Sequence, residues 1–399
     1  MTFWSDPINF IAEWLRGILT GWGMALDWAN VLIASLGIIS LILFSMMLAI
    51  FLVWVERKVV ARFQDRVGPN RIGPYGLFQP FADIIKLIIK EDITPTGADK
   101  VVYNLAPVLA LASVIFLWAI LPLASNIYGV DLNVAILYLV ATGALGTLAI
   151  IMGGWASNNK YALIGAFRMV ATMISYEIPM VVALLIPTIL SGTMSVRGIV
   201  EAQDPIWYFI LSPLGALVFL ISSIAELGRA PFDLNEAESE IVAGFHIEYT
   251  GMKFGLFYAG ELLHAFTFGG LMAILFFGGY RFFGLEQYPL VGFLVFLAKA
   301  MFGYWVIMWV KYTMPRIRID HMLAFNWKFL TPFAFFVLVV TAVLNKVLSG
   351  LDTWLFASLI FGANLIIAWI TIEILRVYSR RERRLAEGNI PAPVPPAHH

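Results

Sequence analysis

ALIGAFRMVATMISYEIPMVVALLIPTILS, residues 162–191, is an apolar run interrupted by only two charges, Arg168 and Glu177. It exceeds the roughly 20 residues that cross a bilayer as a helix. It also lacks the period-2 alternation of a barrel strand, so a helix that satisfies its own backbone hydrogen bonds is the reading that fits. Arg168 and Glu177 lie nine residues apart, about 13 Å along a helix at roughly 1.5 Å per residue, and cannot pair directly. Glu177 therefore sits at membrane depth without a local cation. Such a carboxyl is expensive and is by default a functional candidate. Two readings stay open: a proton-relay group, or an acid hydrogen-bonded between helices.

The pattern repeats outward from this run. Further apolar spans fall at 31–55, 105–125, 132–153, 206–226, 253–277, 290–313, 327–348 and 353–377, which predicts nine transmembrane helices. The composition agrees: 60% of residues are hydrophobic and 13% charged, with mean hydropathy +0.84, against the roughly 25% charged residues of a soluble domain. The expected fold class is an all-α integral membrane protein. Of the 26 Lys and Arg, all except Arg16, Arg197, Arg281, Lys346 and the intraspan Lys299 fall on one side of these spans. The positive-inside rule makes that side cytoplasmic, with the N-terminus outside and the C-terminus in the cytoplasm. The chain has no cysteine and so by itself offers no thiolate for an iron–sulfur cluster or a haem. His246, His264 and His321 share no ligand-like spacing, and His398 and His399 lie in the tail, so no metal site is expected and each histidine reads as structural. The net charge of zero gives no reason to expect a nucleic-acid partner.

Residues 226–261 carry Glu226, Asp233, Glu236, Glu238, Glu240, Glu248 and Glu261 against only Arg229 and Lys253. Glu226 closes one span and Glu261 lies about two turns inside the next, so both can extend a path begun at Glu177. Coupled carboxyls in low dielectric cannot all ionise together, and a nearby charge or conformational change can move a proton between them. Glu236, Glu238 and Glu240 fall in the intervening loop, where a solvated acidic face is the ordinary explanation.

Four segments flank this core. Residues 1–30 hold Trp4, Trp14, Trp22 and Trp28, with Phe10, Trp14 and Ile18 at helical spacing, which predicts an amphipathic helix in the outer interface. Between the first two spans, Gly68, Pro69, Gly73, Pro74 and Gly76 mark a turn-rich loop. It leads into an amphipathic helix over 77–91, with Phe78, Phe81, Ile85, Ile88 and Ile89 on one face and Gln79, Asp83, Lys86 and Lys90 opposite. Residues 349–379 form an additional C-terminal span, and 380–399 turn from basic to Pro-rich, a composition expected to end in disorder. The chain contains no nucleotide-binding loop and no nucleophile–base motif, so a driving reaction would have to come from partner chains.

Four blocks resemble one family: VERKVVARFQDRVGPNRIGPYGLFQPFADIIKLIIKED at 55–92, GGWASNNKYALIGAFRMVATMISYEIP at 153–179, AELGRAPFDLNEAESEIVAGFHIEYTGMKF at 225–254 and PRIRIDHMLAFNWKFLTP at 315–332. They are similar, over roughly 31–348, to a membrane subunit of bacterial proton-pumping NADH:quinone oxidoreductase, respiratory complex I, the counterpart of mitochondrial NADH dehydrogenase subunit one. The related membrane subunits of energy-converting hydrogenases and ferredoxin- or coenzyme-linked dehydrogenases are the nearest alternative, and a stand-alone ion transporter is a more distant one. The resemblance implies a component of the bacterial cell membrane that binds no redox centre itself. Quinone would be its substrate, with FMN and iron–sulfur clusters on partner subunits. Its partners would be the peripheral quinone-site subunits, the small neighbouring membrane subunits and lipid. The same resemblance places Glu56, Arg57, Arg66, Asp83, Arg229 and Phe232 at the quinone chamber, and Glu177, Glu226, Glu236, Glu238, Glu240 and Glu261 in an acidic relay that couples quinone reduction to proton translocation. It also makes the helix at 77–91 a doorway for the quinone tail.

Overall fold

A computed structural model describes residues 6–233, 242, 244–282, 284 and 287–388, with 381–388 described as backbone alone. Among the described residues every regular element is helical. The membrane helices are α2 (Leu26–Phe63), α4 (Lys100–Trp118), α5 (Ala135–Ala156), α6 (Lys160–Ser191), α9 (Pro213–Glu226), α10 (Gly251–Phe276), α11 (Pro289–Thr313), α13 (Thr331–Val347) and α14 (Thr353–Gly388). Shorter pieces connect them: α1 (Pro7–Gly21), α3 (Gln79–Ile89), α7 (Val196–Glu201), α8 (Tyr208–Leu211) and α12 (Ile319–Phe325). Alpha-1 and α3 occupy the two stretches where the sequence predicts amphipathic helices.

Eight described helices are long and apolar enough to cross a membrane, with α12, the stretch after it and α13 counted as one continuous helix, Ile319–Val347, and α9 not among them; this makes the chain a multi-pass membrane protein. The ninth predicted span, 206–226, is present as two pieces. Pro213 has no N–H to give the preceding turn and sits at the first position of α9, while Ser212 leaves helical geometry at φ −136°, ψ 71°. The 14 residues of α9 reach only about 21 Å at roughly 1.5 Å per residue, short of a hydrocarbon core of about 30 Å. The carbonyl of Leu211, freed at this break, accepts from Asn364 Nδ2 of α14 at 3.0 Å.

Tight helix contacts use small residues, as expected where lipid tails remove any hydrophobic drive between helices. A Cβ on Gly269 of α10 would stand 2.6 Å from the Ala300 carbonyl of α11, and one on Gly303 would stand 2.8 Å from Gly269 Cα. Around Glu177, Tyr176 OH donates to the Met322 carbonyl at 3.0 Å and Asn326 Nδ2 donates to the Ser175 carbonyl at 2.6 Å. Asn326 opens a π-helical stretch, Asn326–Leu330, so α6 and the start of α13 are fixed to each other beside the acid. Alpha-6 starts on the side chain of Asn159, which accepts from Tyr161 N at 2.9 Å, and stops at Gly192 in left-handed geometry.

Candidate functional site

Arg229 lies in the segment after α9 and is 2% exposed. Its Nη1 donates to Glu56 Oε1 of α2 at 3.2 Å, and its Nη2 stands 3.3 Å from Glu261 Oε1 of α10. The same Glu56 oxygen accepts from Lys311 Nζ at 3.0 Å and from Tyr312 OH at 2.6 Å, both on α11. Two carboxylates and two cations thus form a neutral cluster tying α2, α10 and α11 to the post-α9 segment. Burial opposes the charge on Arg229, but the Glu261 and Glu56 carboxylates more than offset it and hold its pKa above the usual arginine range. Four polar atoms in and beside the cluster, Glu56 Oε2, Arg229 Nε, Arg229 Nη2 and Tyr304 OH, are buried without a hydrogen-bond partner among the described residues. Arg229 is placed by its own turn: Phe232 N–H donates to the Arg229 carbonyl at 2.9 Å, and Ile317 N–H to the Pro231 carbonyl at 3.0 Å.

One side of Glu56 faces a cleft of about 820 Å³ whose walls include Arg57, Val60, Arg66, Gln79, Tyr258, Lys311 and Tyr312. The turn-rich loop closes its far wall. Its glycines are needed there: a Cβ on Gly76, at φ 76°, would fall 2.2 Å from the Pro69 carbonyl oxygen, and one on Gly73 2.2 Å from the Phe78 ring. Arg57 is ion-paired with Asp83 of α3, which Lys86 also approaches at 3.5 Å. Arg66 Nε donates to Gln64 Oε1 at 2.7 Å. Phe232 is apart from this wall. It is 5% exposed, with its ring centroid 5.1 Å from that of Tyr176, so it packs against α6 at the residue before Glu177.

On the other side of the cluster Glu226, Glu261, Tyr258, His264, His246 and Ser113 border a partly open cavity of about 90 Å³. Glu226 is 4% exposed, and its Oε2 has no partner among the described residues. Glu177, half-buried on α6, is its electrostatic neighbour. Below the cavity, stacked Tyr103 and Tyr249 (4.2 Å between centroids) hold the segment leading into α10, with Tyr103 OH donating to the Glu248 carbonyl at 2.7 Å. His246 belongs to this segment, and burial pushes its pKa below the ordinary histidine value. The loop acids Glu236, Glu238 and Glu240 lie outside the described residues.

Of the residues singled out from sequence, the fold gathers Glu56, Arg57, Arg66, Asp83, Arg229 and Glu261 around the cleft and its buried cluster, and sets Glu226 on the wall of the second cavity, with Glu177 its electrostatic neighbour and Phe232 against Tyr176. Charge counting within 226–261 missed the partners from elsewhere in the chain. Asp233 pairs with Arg316 at 3.1 Å, Lys253 with Asp92 at 2.9 Å, and Asn159 Nδ2 donates to Glu248 at 2.6 Å. Lys311 and Tyr312 were also missed, although a basic residue closing an apolar run was visible. Read alone, it marks only a membrane boundary.

Residues 36–342 match the family described as NADH dehydrogenase. The H subunit of NADH-quinone oxidoreductase from Dehalococcoides mccartyi (strain CBDB1) is 43% identical over 85% of this chain and 92% of its own length. The chain belongs to the NADH dehydrogenase family. Two more relatives bearing the same name agree: one from Brevibacillus brevis is 43% identical over 75% of this chain and 90% of its own length, and one from Geobacillus sp. (strain WCH70) is 41% identical over 85% and 98%. The matched family region contains the cleft, the Arg229 cluster and the smaller cavity, and ends before α14.

Proposed function

We propose that the chain is the membrane subunit of a proton-translocating NADH:quinone oxidoreductase that forms the quinone site. In this reading the cleft beside Glu56 takes the quinone, and the buried carboxyls pass the consequence of its reduction into the membrane. One observation carries the reading: Arg229 touches Glu56 on the cleft wall and Glu261 on the cavity wall at once. Tyr258 borders both spaces. The cleft volume lies within the several hundred to 1,000 Å³ typical of ligand sites, and its mixed walls suit a polar head group with an apolar tail. The apolar face of α3, where Ile85, Ile88 and Ile89 are exposed, gives that tail a route from the bilayer.

Reduction of a quinone takes two electrons and two protons. The electrons would come from flavin and iron–sulfur chemistry on the partner subunits. A charge change in the cleft alters the field at Glu56, shifts Arg229 between its two carboxylates and changes the proton affinity of Glu261. Glu226 and Glu177 continue the path inward, and Glu236, Glu238 and Glu240 join it to the partner-facing loop. The family core would span 31–348, with 1–30 as an interfacial extension, 349–379 as an added helix and 380–399 as a tail. The N-terminus would face outward and the C-terminus the cytoplasm of a bacterial cell membrane.

Asp83→Asn or Arg57→Ala in the assembled enzyme should raise the apparent KM for quinone several-fold, and leave NADH oxidation by an artificial acceptor unchanged. An unaltered quinone KM and inhibitor response in both variants would overturn the doorway assignment.

A further inference from the structure

Lys253 entered the charge count of 226–261 only as one of two bases, and no step of the proposed coupling uses it. In the fold it is the third residue of α10, and its Nζ reaches past the end of α3 to Asp92 Oδ2 at 2.9 Å and Thr94 Oγ1 at 3.4 Å. It also lies over the Tyr103 ring of α4, 5.1 Å from the centroid. We propose that α3 is a door fixed at one end: its C-terminal end is a hinge on α10, with Lys253 as the positioning residue, and its N-terminal half is a latch on α2. A quinone tail then passes between the latch half and α2, never between α3 and α10.

The hinge end is closely packed. Gly251 and Gly255, one turn apart on α10, receive α3 directly, in the small-xxx-small arrangement that lets helices approach closely in a membrane. A Cβ on Gly251, at φ 59°, would stand 3.4 Å from the Leu87 carbonyl oxygen, and one on Gly255 would stand 3.0 Å from Leu87 Cδ1. No gap is left at this seam. Thr250 Oγ1 accepts from the Ile93 N–H at 3.3 Å and donates to the Glu91 carbonyl at 3.5 Å. The seat is itself anchored to α4, because Tyr249 OH donates to the Tyr103 carbonyl at 3.1 Å beside the stacked rings.

The latch end is held by much less. Asp83 of α3 pairs with Arg57 of α2, and Trp54 Nε1 donates to the Tyr75 carbonyl of the preceding loop at 3.2 Å. The Arg57 and Asp83 side chains are 40% and 21% exposed, against 17% for Lys253. An ion pair this open to solvent contributes little and is screened by salt. Alpha-3 also starts at Phe78 without a side-chain cap, so its first N–H groups gain nothing locally from staying in place. The cleft wall takes Gln79 from the first turn of α3 and, among the described residues, nothing from 87–94. Tilting α3 about its hinge therefore parts Asp83 from Arg57 and uncovers the cleft, while Lys253, Thr250 and the two glycines keep their partners.

This inference rests on the quinone reading above, and the test separates the two. The chain has no cysteine, so introduced pairs are its only thiols. In the assembled enzyme reconstituted in vesicles, Leu87→Cys with Gly255→Cys staples the hinge and Arg57→Cys with Asp83→Cys staples the latch, each closed by a short cleavable bifunctional thiol reagent. Reduction of a long-tailed quinone held in the bilayer is followed before linking, after linking and after the link is cut. The hinge-stapled enzyme should keep its rate, and the latch-stapled enzyme should lose most of its rate and regain it on cutting. Loss on stapling the hinge, or none on stapling the latch, would overturn the door. Lys253→Met should raise the KM for the long-tailed quinone several-fold at unchanged kcat, and Lys253→Arg should restore it. A fall in kcat with KM unchanged would make Lys253 merely structural and overturn its role. If Lys253→Met fails to assemble, the two staples decide alone. If stapling the latch has no effect while Arg57→Ala still raises the quinone KM, the door falls and the quinone reading stands; if neither has an effect, both fall.

Discussion

Replacing Arg229 by Met should destabilise the protein by about 3 kcal/mol, close to the lower end of the 3–5 kcal/mol typical when one partner of a buried ion pair is removed. The structure sets where in that range the value falls. The Arg229 side chain is 1% exposed and that of Glu56 6%, so the charge left behind cannot hydrate freely. Glu56 nevertheless keeps Lys311 at 3.0 Å and Tyr312 at 2.6 Å, which removes the upper part of the range. Glu261 is 29% exposed and can recover water, so its contribution is discounted. Adding Glu56→Gln to Arg229→Met should restore about 1–2 kcal/mol, because the stranded charge is gone. Arg229→Lys should not rescue, since an ammonium is a point charge and cannot reach two carboxylates as a guanidinium fork does. Urea titration of the membrane-embedded assembly with pulse proteolysis of this chain gives the unfolded fraction for each variant. A loss below about 0.5 kcal/mol for Arg229→Met, the range of an exposed pair, or strict additivity in the double variant, would refute the cluster as a buried unit.

Two further outcomes follow from other parts of the fold. Asn364→Leu leaves the buried Leu211 carbonyl without its donor and should cost about 1–3 kcal/mol, seen as faster hydrogen exchange confined to 208–216 and the facing turn of α14; exchange unchanged there would show that α14 does not hold the break. For His246, burial lowers the folded-state pKa, so the stability it contributes is fully present above the unfolded value of about 6.5 and is lost as pH falls from there through the lowered folded-state pKa. Hydrogen exchange at 244–250, corrected for intrinsic rate, should therefore rise on acidification below about pH 6.5 in the parent and not in His246→Phe, and an equal rise in both would sink the assignment.

The sequence by itself determined the class of this protein and most of its helices. A run such as 162–191 can satisfy its backbone in a bilayer only as a helix, and that constraint is local. The amphipathic helix at 79–89 was legible for the same reason, since its apolar face recurs every three to four residues. The depth of Glu177, Glu226 and Glu261 followed from counting along each span, and the family followed from four ordered motif blocks. Tertiary structure decided how these charges are answered. Arg229 is 173 residues from Glu56, and Lys311 is 255; no periodicity or local charge count reaches across such distances. The break at Ser212 and Pro213 looked like one apolar run because hydropathy does not register a missing N–H, and its repair by Asn364 depends on where α14 packs. His264 read as an ordinary core residue because its position at Glu261 plus three says only that the two share a helix face. Whether that face meets lipid, protein or a polar cavity beside Glu226 is settled by the packing of α4, α5, α6 and α9 around it.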